Sequence, residues 1–249
     1  MRPLALLSND DGYTSVGIRA LKNALETFAD VVVCAPETEQ SAASHALSLN
    51  KPLRLRAVEL GVFAVDGTPA DCVYVAIHSK RVLPRKPDVV VSGINHGLNL
   101  GQDVFYSGTV AAAREGALRG APAIASSAHP KANFDDVARV TAKLAETVIG
   151  LRRGEGGLLL SMNFPRTWTS VRATRLGART YEEICDFRKD PRGREYLWIG
   201  GPSVSHEHGP GTDTEAYDEG VVSITPLLLD ATDPDYGETL DTMLTGLQP

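Results

Sequence analysis

The chain has 249 residues, 43% of them hydrophobic and 22% charged, which sets aside disorder, because a chain of this size buries a sizeable core without disulfides or structural metals. Its formal net charge of -6 excludes a general attraction to nucleic acid or to an anionic membrane, and no apolar run approaches the length of a membrane span. Cys34, Cys72 and Cys185 form no CxxC spacing, so a disulfide framework or thiolate zinc site is not expected, and the start MRPLALLSNDDG lacks a signal-peptide pattern, which makes the reducing cytoplasm the expected compartment.

Leu4–Leu7 is a short apolar run of the kind that forms a strand buried on both faces. Ile18, Leu21, Leu25 and Phe28 then fall on one helical face. Val31–Val33 is a second run, ending at Cys34-Ala35-Pro36. Across His45–Val65 the period-two spacing of Leu47, Leu49, Leu53 and Leu55 predicts a hairpin. Thr68-Pro69-Ala70-Asp71 reads as a helix start, with Thr as N-cap, Pro first and Asp third. Val89–Val91 is a third run and ends at Ser92-Gly93. The alanine-rich Val110–Leu118 is a helix, Ala121–Ala125 a fourth run, and Leu158–Leu160 a fifth. Between the last two, Val137, Val140, Leu144, Val148 and Leu151 mark a helix with Asn133 as its cap.

Strands alternating with helices predict an α/β fold: a Rossmann-like, mostly parallel sheet with helices on both faces over residues 1–165. After Pro165 the pattern changes. Val171, Ile184, Tyr196–Ile199 and Val221–Ile224 read as strands of a β-rich C-terminal extension, residues 166–249, that completes the fold or makes subunit contacts. Asp230–Leu247 closes it with a short helix.

Ligands of open α/β sheets bind at the carboxyl ends of the strands. Ser8-Asn9-Asp10-Asp11-Gly12 follows the first run, Gln40-Ser41 lies beyond the second, and Ser92-Gly93-Ile94-Asn95 follows the third. Adjacent carboxylates repel unless a cation lies between them or one is protonated, and Gly12 permits a turn that brings both to one point. With Ser41 and Asn95 they make an all-oxygen set, which suits magnesium, manganese or calcium rather than zinc or copper. The plain alternative for Asp10 and Asp11 is a turn or a helix cap. Gly93–Thr109 holds glycines at 93, 97, 101 and 108 and asparagines at 95 and 99. It leads into the alanine-rich helix, whose first amides at Ser107-Gly108-Thr109 suit an anion; here the plain alternative is an ordinary N-cap. The spacing fits neither the P-loop nor GxGxxG, and no GxSxG elbow is present. His45 and His96 lie near these motifs and are candidates for substrate contact, while His206 and His208 read as surface residues. The basic clusters Lys80, Arg81, Arg85, Lys86 and Arg188, Lys189, Arg192, Arg194 read as solvated faces, the second also a candidate for holding an anionic substrate.

Taken in order, LLSNDDG, QSAASHALSL, VDGTPADCV, VVSGINHGLNLGQDVFYSGTVAAAREG and the later GPGTDTEAYDEGVVSITPL resemble the SurE (stationary-phase survival protein E) family over most of the chain. That resemblance implies a divalent-metal-dependent phosphomonoesterase, a 5'- and 3'-nucleotidase that in some members also trims short polyphosphate. It implies Asp10, Asp11, Ser41 and Asn95 as ligands of one divalent cation per subunit, magnesium or manganese, with calcium as an alternative bound ion. Asn99, Ser107, Gly108 and Thr109 match the phosphate-binding positions, and Asp10 and Asp11 double as the catalytic pair. The implied partners are a nucleoside monophosphate substrate and further copies of the chain, as a dimer or tetramer with exchanged C-terminal segments. No stable nucleic-acid or membrane partner is implied. The chain departs from the family's commonest pattern at Glu37-Thr38-Glu39-Gln40, where basic residues are frequent, and at Ala42, where Gly is. Three alternatives stay open: an aspartyl-phosphate route, which ranks second because no DxD arrangement is present; a non-catalytic nucleotide- or phosphate-binding module on the same fold; and a different hydrolase that uses the same oxygen-ligated metal on phosphodiesters or polyphosphate.

Overall fold

Adjacent apolar residues along the first strand part to opposite sides, and that alternation builds two cores. Ala5 and Leu7 join one buried cluster, Leu4 and Leu6 the other, as the period of a strand requires. The computed structural model describes residues 1–153, 156–182, 184–200, 204–207 and 209–245. In chain order the elements are β1 (Leu4–Ser8), α1 (Val16–Leu25), β2 (Asp30–Pro36), β3 (Leu55–Glu59), β4 (Val62–Val65), α2 (Pro69–His78), β5 (Val89–His96), α3 (Asp103–Tyr106) and α4 (Gly108–Leu118). There follow β6 (Ala123–Ala128), α5 (Phe134–Val148), β7 (Arg152–Arg153), β8 (Gly156–Gly157) and β9 (Leu159–Phe164). The remainder comprises β10 (Ser170–Ala173), β11 (Arg179–Tyr181), β12 (Cys185–Lys189), β13 (Glu195–Ile199), β14 (Val204–His206), α6 (Asp213–Asp218), β15 (Val221–Leu227) and α7 (Gly237–Leu244).

Nine strands form one sheet in the order β10-β15-β9-β6-β5-β1-β2-β4-β3. Its pairs are parallel except β3 with β4 and β15 with β9. α1 and α5 cover one face through Ile18, Leu21, Val137 and Ala145. α2 and α4 cover the other through Val73, Ala76, Val110 and Ala117. Each fully buried Leu or Val contributes roughly 1.5–3 kcal/mol. The chain leaves β1 for β2 on one side and returns to β5 on the other. The carboxyl ends of β1 and β5 are therefore a topological switch point, where such sheets open a crevice.

The five expected buried runs became β1, β2, β5, β6 and β9, and the expected caps hold. Thr68 and Asp71 form a capping box at α2, Asp71 N–H donating to Thr68 Oγ1 at 3.1 Å and Thr68 N–H to Asp71 Oδ2 at 2.9 Å. Asn133 caps α5. The hairpin expected over His45–Val65 is shorter: it starts at Leu55 and runs through β3 and β4. Before it, the backbone is taken up by side chains instead of a partner strand. Ser48 N–H donates to Asp71 Oδ1 at 2.9 Å, and Thr68 Oγ1 donates to the Ala46 carbonyl at 2.7 Å; such bonds compete with ladder formation. Beyond Pro165, β10 and β15 extend the main sheet, while β12 pairs with β13 and β11 with β14 as two-stranded arms. α6, with Thr212 as N-cap, is a helix that the polar, glycine-rich extension did not suggest. α7 is the short closing helix, ending at Leu244.

Candidate functional site

β1 ends in a turn that aims two adjacent carboxylates the same way. Asn9 Nδ2 donates to the Gly12 carbonyl and to Ser15 Oγ, both at 2.9 Å, which folds the turn back onto the cap of α1. Gly12 takes a φ of +92°, a region where only glycine is unstrained. Asp10 then faces the start of α4, where the Thr109 hydroxyl donates to Asp10 Oδ1 and the Thr109 amide also supports the carboxylate. Asp11 Oδ2 accepts the His96 N–H at 3.2 Å. The polar loop after β2 is drawn in by the Gln40 N–H, which donates to the Asp10 carbonyl at 2.8 Å. β5 shifts register between Ser92 and Asn95, and the Gly93-Ile94 peptide is cis.

These turns enclose a cleft of about 1220 Å³. Asp10, Asp11, Ser41, Asn95, Asn99 and Ser107 all line it. Ser41 Oγ donates to Glu39 Oε1 at 2.7 Å, and Asn95 Nδ2 donates to the Gly97 carbonyl at 3.0 Å. Asn99 Nδ2 donates to Ser127 Oγ at 2.8 Å. Ser107 is the N-cap of α4, its Oγ accepting the Val110 N–H at 3.1 Å. Gly108 and Thr109 stand behind Asp10 instead of on the cleft wall. A Cβ on Gly108 would come within 2.9 Å of Asp10 Cβ and 3.0 Å of Pro69 Cγ, so a bare α-carbon lets the helix start approach the carboxylate. Thr109 is fully buried, its hydroxyl spent on Asp10.

Burial pushes the Asp10 carboxyl up to about 6, with the Asp11 charge adding to the rise and the Thr109 hydroxyl opposing it. Asp11 is raised too, by burial first, and Glu39 pushes it the same way. Among the described residues no Lys or Arg side chain counters either charge. Among the described residues Arg179 is the one Lys or Arg on the cleft wall, and it is paired with Asp103, which also accepts the Tyr181 hydroxyl. The cleft thus gathers Asp10, Asp11 and Glu39 with no Lys or Arg among the described residues to offset the aspartate pair, an arrangement a divalent cation stabilises. Among the described residues no three His, Cys, Asp or Glu side chains are grouped to hold a metal. The donor set that fits is mixed: two carboxylates from Asp10 and Asp11 with the neutral oxygens of Ser41 and Asn95, hard ligands for a hard ion.

The other candidates divide. His96 lines the cleft, whereas His45 turns onto the buried Glu115, Nε2 to Oε2 at 2.9 Å. His206 pairs with Asp218 at 2.6 Å, and His208 lies outside the described residues. In the first basic cluster Arg85 pairs with Asp88; in the second Arg188 and Arg194 pair with Asp186 and Asp190, and neither cluster lines the cleft. Sequence reasoning missed Glu39, Arg179 and Tyr181, which do line it. The last two come from β11, whose three residues carry no periodic signal.

A family model described as "Survival protein SurE" matches residues 5–183. A protein named 5'-nucleotidase SurE from Sorangium cellulosum (strain So ce56) is 60% identical over 239 residues, covering 92% of this chain and 91% of that protein. Another of the same name, from Methylococcus capsulatus, is 45% identical over 97% of both chains. Among solved structures, the crystal structure of the SurE protein from Aquifex aeolicus superposes with a TM-score of 0.82 at 37% identity, covering 97% of this chain and 99% of the other.

Proposed function

The chain belongs to the SurE survival-protein family, and from that premise we propose that it is a divalent-metal-dependent phosphomonoesterase that hydrolyses nucleoside 5'- and 3'-monophosphates to nucleoside and phosphate. The observation that carries this reading is the Asp10–Asp11 pair at the sheet's switch point, which no Lys or Arg of the described residues offsets and which shares one cleft with Asn95, Asn99 and Ser107. The names of the curated relatives support the 5'-nucleotidase part. The size of the cleft supports a substrate larger than phosphate: Leu98, Tyr106, Phe134 and Ile184 provide an apolar wall on which a nucleoside would rest.

Asp10, Asp11, Ser41 and Asn95 would hold the cation, magnesium or manganese by the hardness of the donors, with calcium also accommodated. When bound, that ion supplies Lewis acidity and charge neutralisation at the phosphate. Asn99 and Ser107, with the amides at the start of α4 near Gly108 and Thr109, would orient the phosphate and offset charge that grows in the transition state. Asp10 or Asp11 would orient the attacking water or accept its proton. Thr109 keeps Asp10 facing the site through the hydroxyl bond already present.

We assign residues 1–165 to the catalytic core and 166–249 to the extension. The β12–β13 arm exposes Phe187, Leu197, Trp198 and Ile199, the last at 85%, which supports a homodimer or homotetramer with exchanged C-terminal segments. The three cysteines are free, in keeping with a cytoplasmic location, and no helix of the described residues is long and apolar enough to cross a membrane.

The test is phosphate release from nucleoside 5'- and 3'-monophosphates, p-nitrophenyl phosphate and short polyphosphate. It is run with EDTA and again with each of magnesium, manganese, calcium and zinc restored. Metal-dependent release from nucleotides supports the reading, and release from polyphosphate adds the exopolyphosphatase activity. Nucleotide binding without release under every metal sinks it in favour of a binding module. Light scattering on the same sample checks the oligomer.

A further inference from the structure

Two buried side chains grip the glycine-rich loop from behind, and both come from segments distant in sequence. Asn163, at the end of β9 and 1% exposed, treats Asn99 as a neighbouring strand would. Its Oδ1 accepts the Asn99 N–H at 2.7 Å and its Nδ2 donates to the Asn99 carbonyl at 3.0 Å. Two residues further on, the Gly101 N–H donates to Asp213 Oδ2 at 2.9 Å. Asp213 is fully buried at the start of α6, and its Oδ1 accepts the Gly177 N–H at 2.7 Å. At this point the loop touches the C-terminal extension directly: a Cβ on Gly101 would lie 2.7 Å from the Gly177 carbonyl oxygen.

The chemistry of each residue suits its task. An amide side chain has one donor and one acceptor face and so completes both backbone groups of a single residue. An ionised carboxylate has only acceptors and so takes two N–H groups from two different segments. Buried groups such as these have no water to replace a lost partner. The loop between the two grips carries Asn99 on one side and leads through α3 to Ser107 on the other.

We propose that Asn163 and Asp213 are positioning residues for the reaction: they fix the loop so that Asn99 and Ser107 meet the phosphate in register. Neither touches the cleft, and the proposal rests on the nucleotidase reading above. It gives the GPGTDTEAYDEG segment, which no step of the chemistry uses directly, a function in holding the phosphate side of the site.

The test compares Asn163→Leu and Asp213→Asn with the wild-type enzyme and with Thr225→Val. Thr225→Val breaks a buried bond to Thr174 Oγ1 of 2.7 Å elsewhere in the extension and serves as the control for general destabilisation. Two readouts are taken on the full chain: amide hydrogen exchange of residues 97–109 by mass spectrometry, and kcat and KM for a nucleoside monophosphate with metal present. Both loop variants should raise exchange in that segment by about tenfold or more. They should lower kcat by about tenfold or more while KM moves less than about threefold. Thr225→Val should leave both at the wild-type level, and Asp213→Glu, which keeps two acceptors, should recover part of the loss. Wild-type exchange and kcat in the loop variants, or an equal kcat loss in Thr225→Val, overturns the proposal. Should Asp213→Asn fail to fold, Asn163→Leu decides on its own. A wild-type enzyme that releases no phosphate refutes the nucleotidase reading instead, and the exchange arm still decides whether the two residues hold the loop.

Discussion

Two glycines of α4 offer a way to separate the site from the fold with the same one-carbon change. At Gly108 an added Cβ would meet Asp10 Cβ at 2.9 Å, Pro69 Cγ at 3.0 Å and Asp10 Oδ2 at 3.1 Å. At Gly116, two turns later, it would meet three Val90 side-chain atoms at 2.6, 2.6 and 2.8 Å. Carbon atoms pack comfortably at about 3.5–4.0 Å, so the deficit is roughly half an ångström at Gly108 and nearer one at Gly116. Both changes gain about 0.5–1 kcal/mol of helix propensity. At Gly116 the neighbour is a central strand that cannot move, and overpacking of that kind costs about 1–3 kcal/mol. The net loss of up to about 2 kcal/mol should lower Tm by up to about 4 °C with turnover nearly intact. At Gly108 the neighbour that gives way is the Asp10 side chain, so stability should stay within about 1 kcal/mol, whereas a carboxylate displaced by some tenths of an ångström should lower kcat by about tenfold to a hundredfold. The assay is thermal unfolding beside kcat for a nucleoside monophosphate, for Gly108→Ala and Gly116→Ala. Wild-type turnover in Gly108→Ala, or a larger turnover loss in Gly116→Ala, would refute the idea that a bare α-carbon at the helix start exists to admit Asp10.

Asp11→Asn should abolish metal-dependent phosphate release while leaving the metal-free protein at least as stable as wild type, because a repelling charge is removed; a Tm clearly below wild type in EDTA contradicts this. Arg179→Met and Asp103→Asn should each lower kcat/KM by about tenfold and their effects should not add, since each removes the same ion pair beneath β11; additive losses in a double-mutant cycle argue against a shared role. Glu115 is buried, and although burial raises its carboxyl, the bonds from His45 and Arg119 outweigh that and hold it below its ordinary value of 4.5. A depressed folded-state value stabilises above the unfolded one and is lost as pH falls through it, so wild type should lose stability on the acid side of about 4.5. Glu115→Gln should flatten that slope and cost about 1–2 kcal/mol at neutral pH; parallel curves for the two proteins would show that the network carries no such linkage.

What could be read from the chain follows from the range of the forces involved. β1 and β5 are short apolar runs that stop abruptly in polar residues, and both the strands and the positions of Asp10, Asp11 and Asn95 follow from that local contrast. The caps at Thr68 and Asn133 are equally local, each a side chain bonding an amide two or three residues on. The stretch from Leu47 to Leu53 has the period of a strand, yet the backbone at Ala46 and Ser48 bonds to Thr68 and Asp71, residues whose nearness depends on α2 having docked. Leu49 is 83% exposed, so its alternation served no core.

The same distinction separates the face of the site from its support. Asp10, Asp11, Ser41 and Asn95 are each an ordinary turn or cap residue taken singly, and they suggest a site in the sequence only because they fall together just beyond the first three apolar runs. Asn163 and Asp213 lie 64 and 112 residues from the loop groups they bind, and an asparagine after a strand or an aspartate in the first turn of a helix is commonplace taken alone. Only the fold reveals that their hydrogen bonds end on the loop carrying Asn99. Arg179 follows the same logic: in the sequence it is one arginine among many, and only the fold brings it to the wall of a cleft that also holds Asp10, Asp11 and Glu39. On the proposed reading such a cleft would repel a phosphate ester unless a cation is present, so the charge balance that would admit the substrate is the same one that would make the Asp10–Asp11 pair tolerable in a buried turn. Metal binding should therefore stabilise the protein and admit the substrate by one interaction, and a metal that raises Tm without enabling nucleotide binding would separate the two.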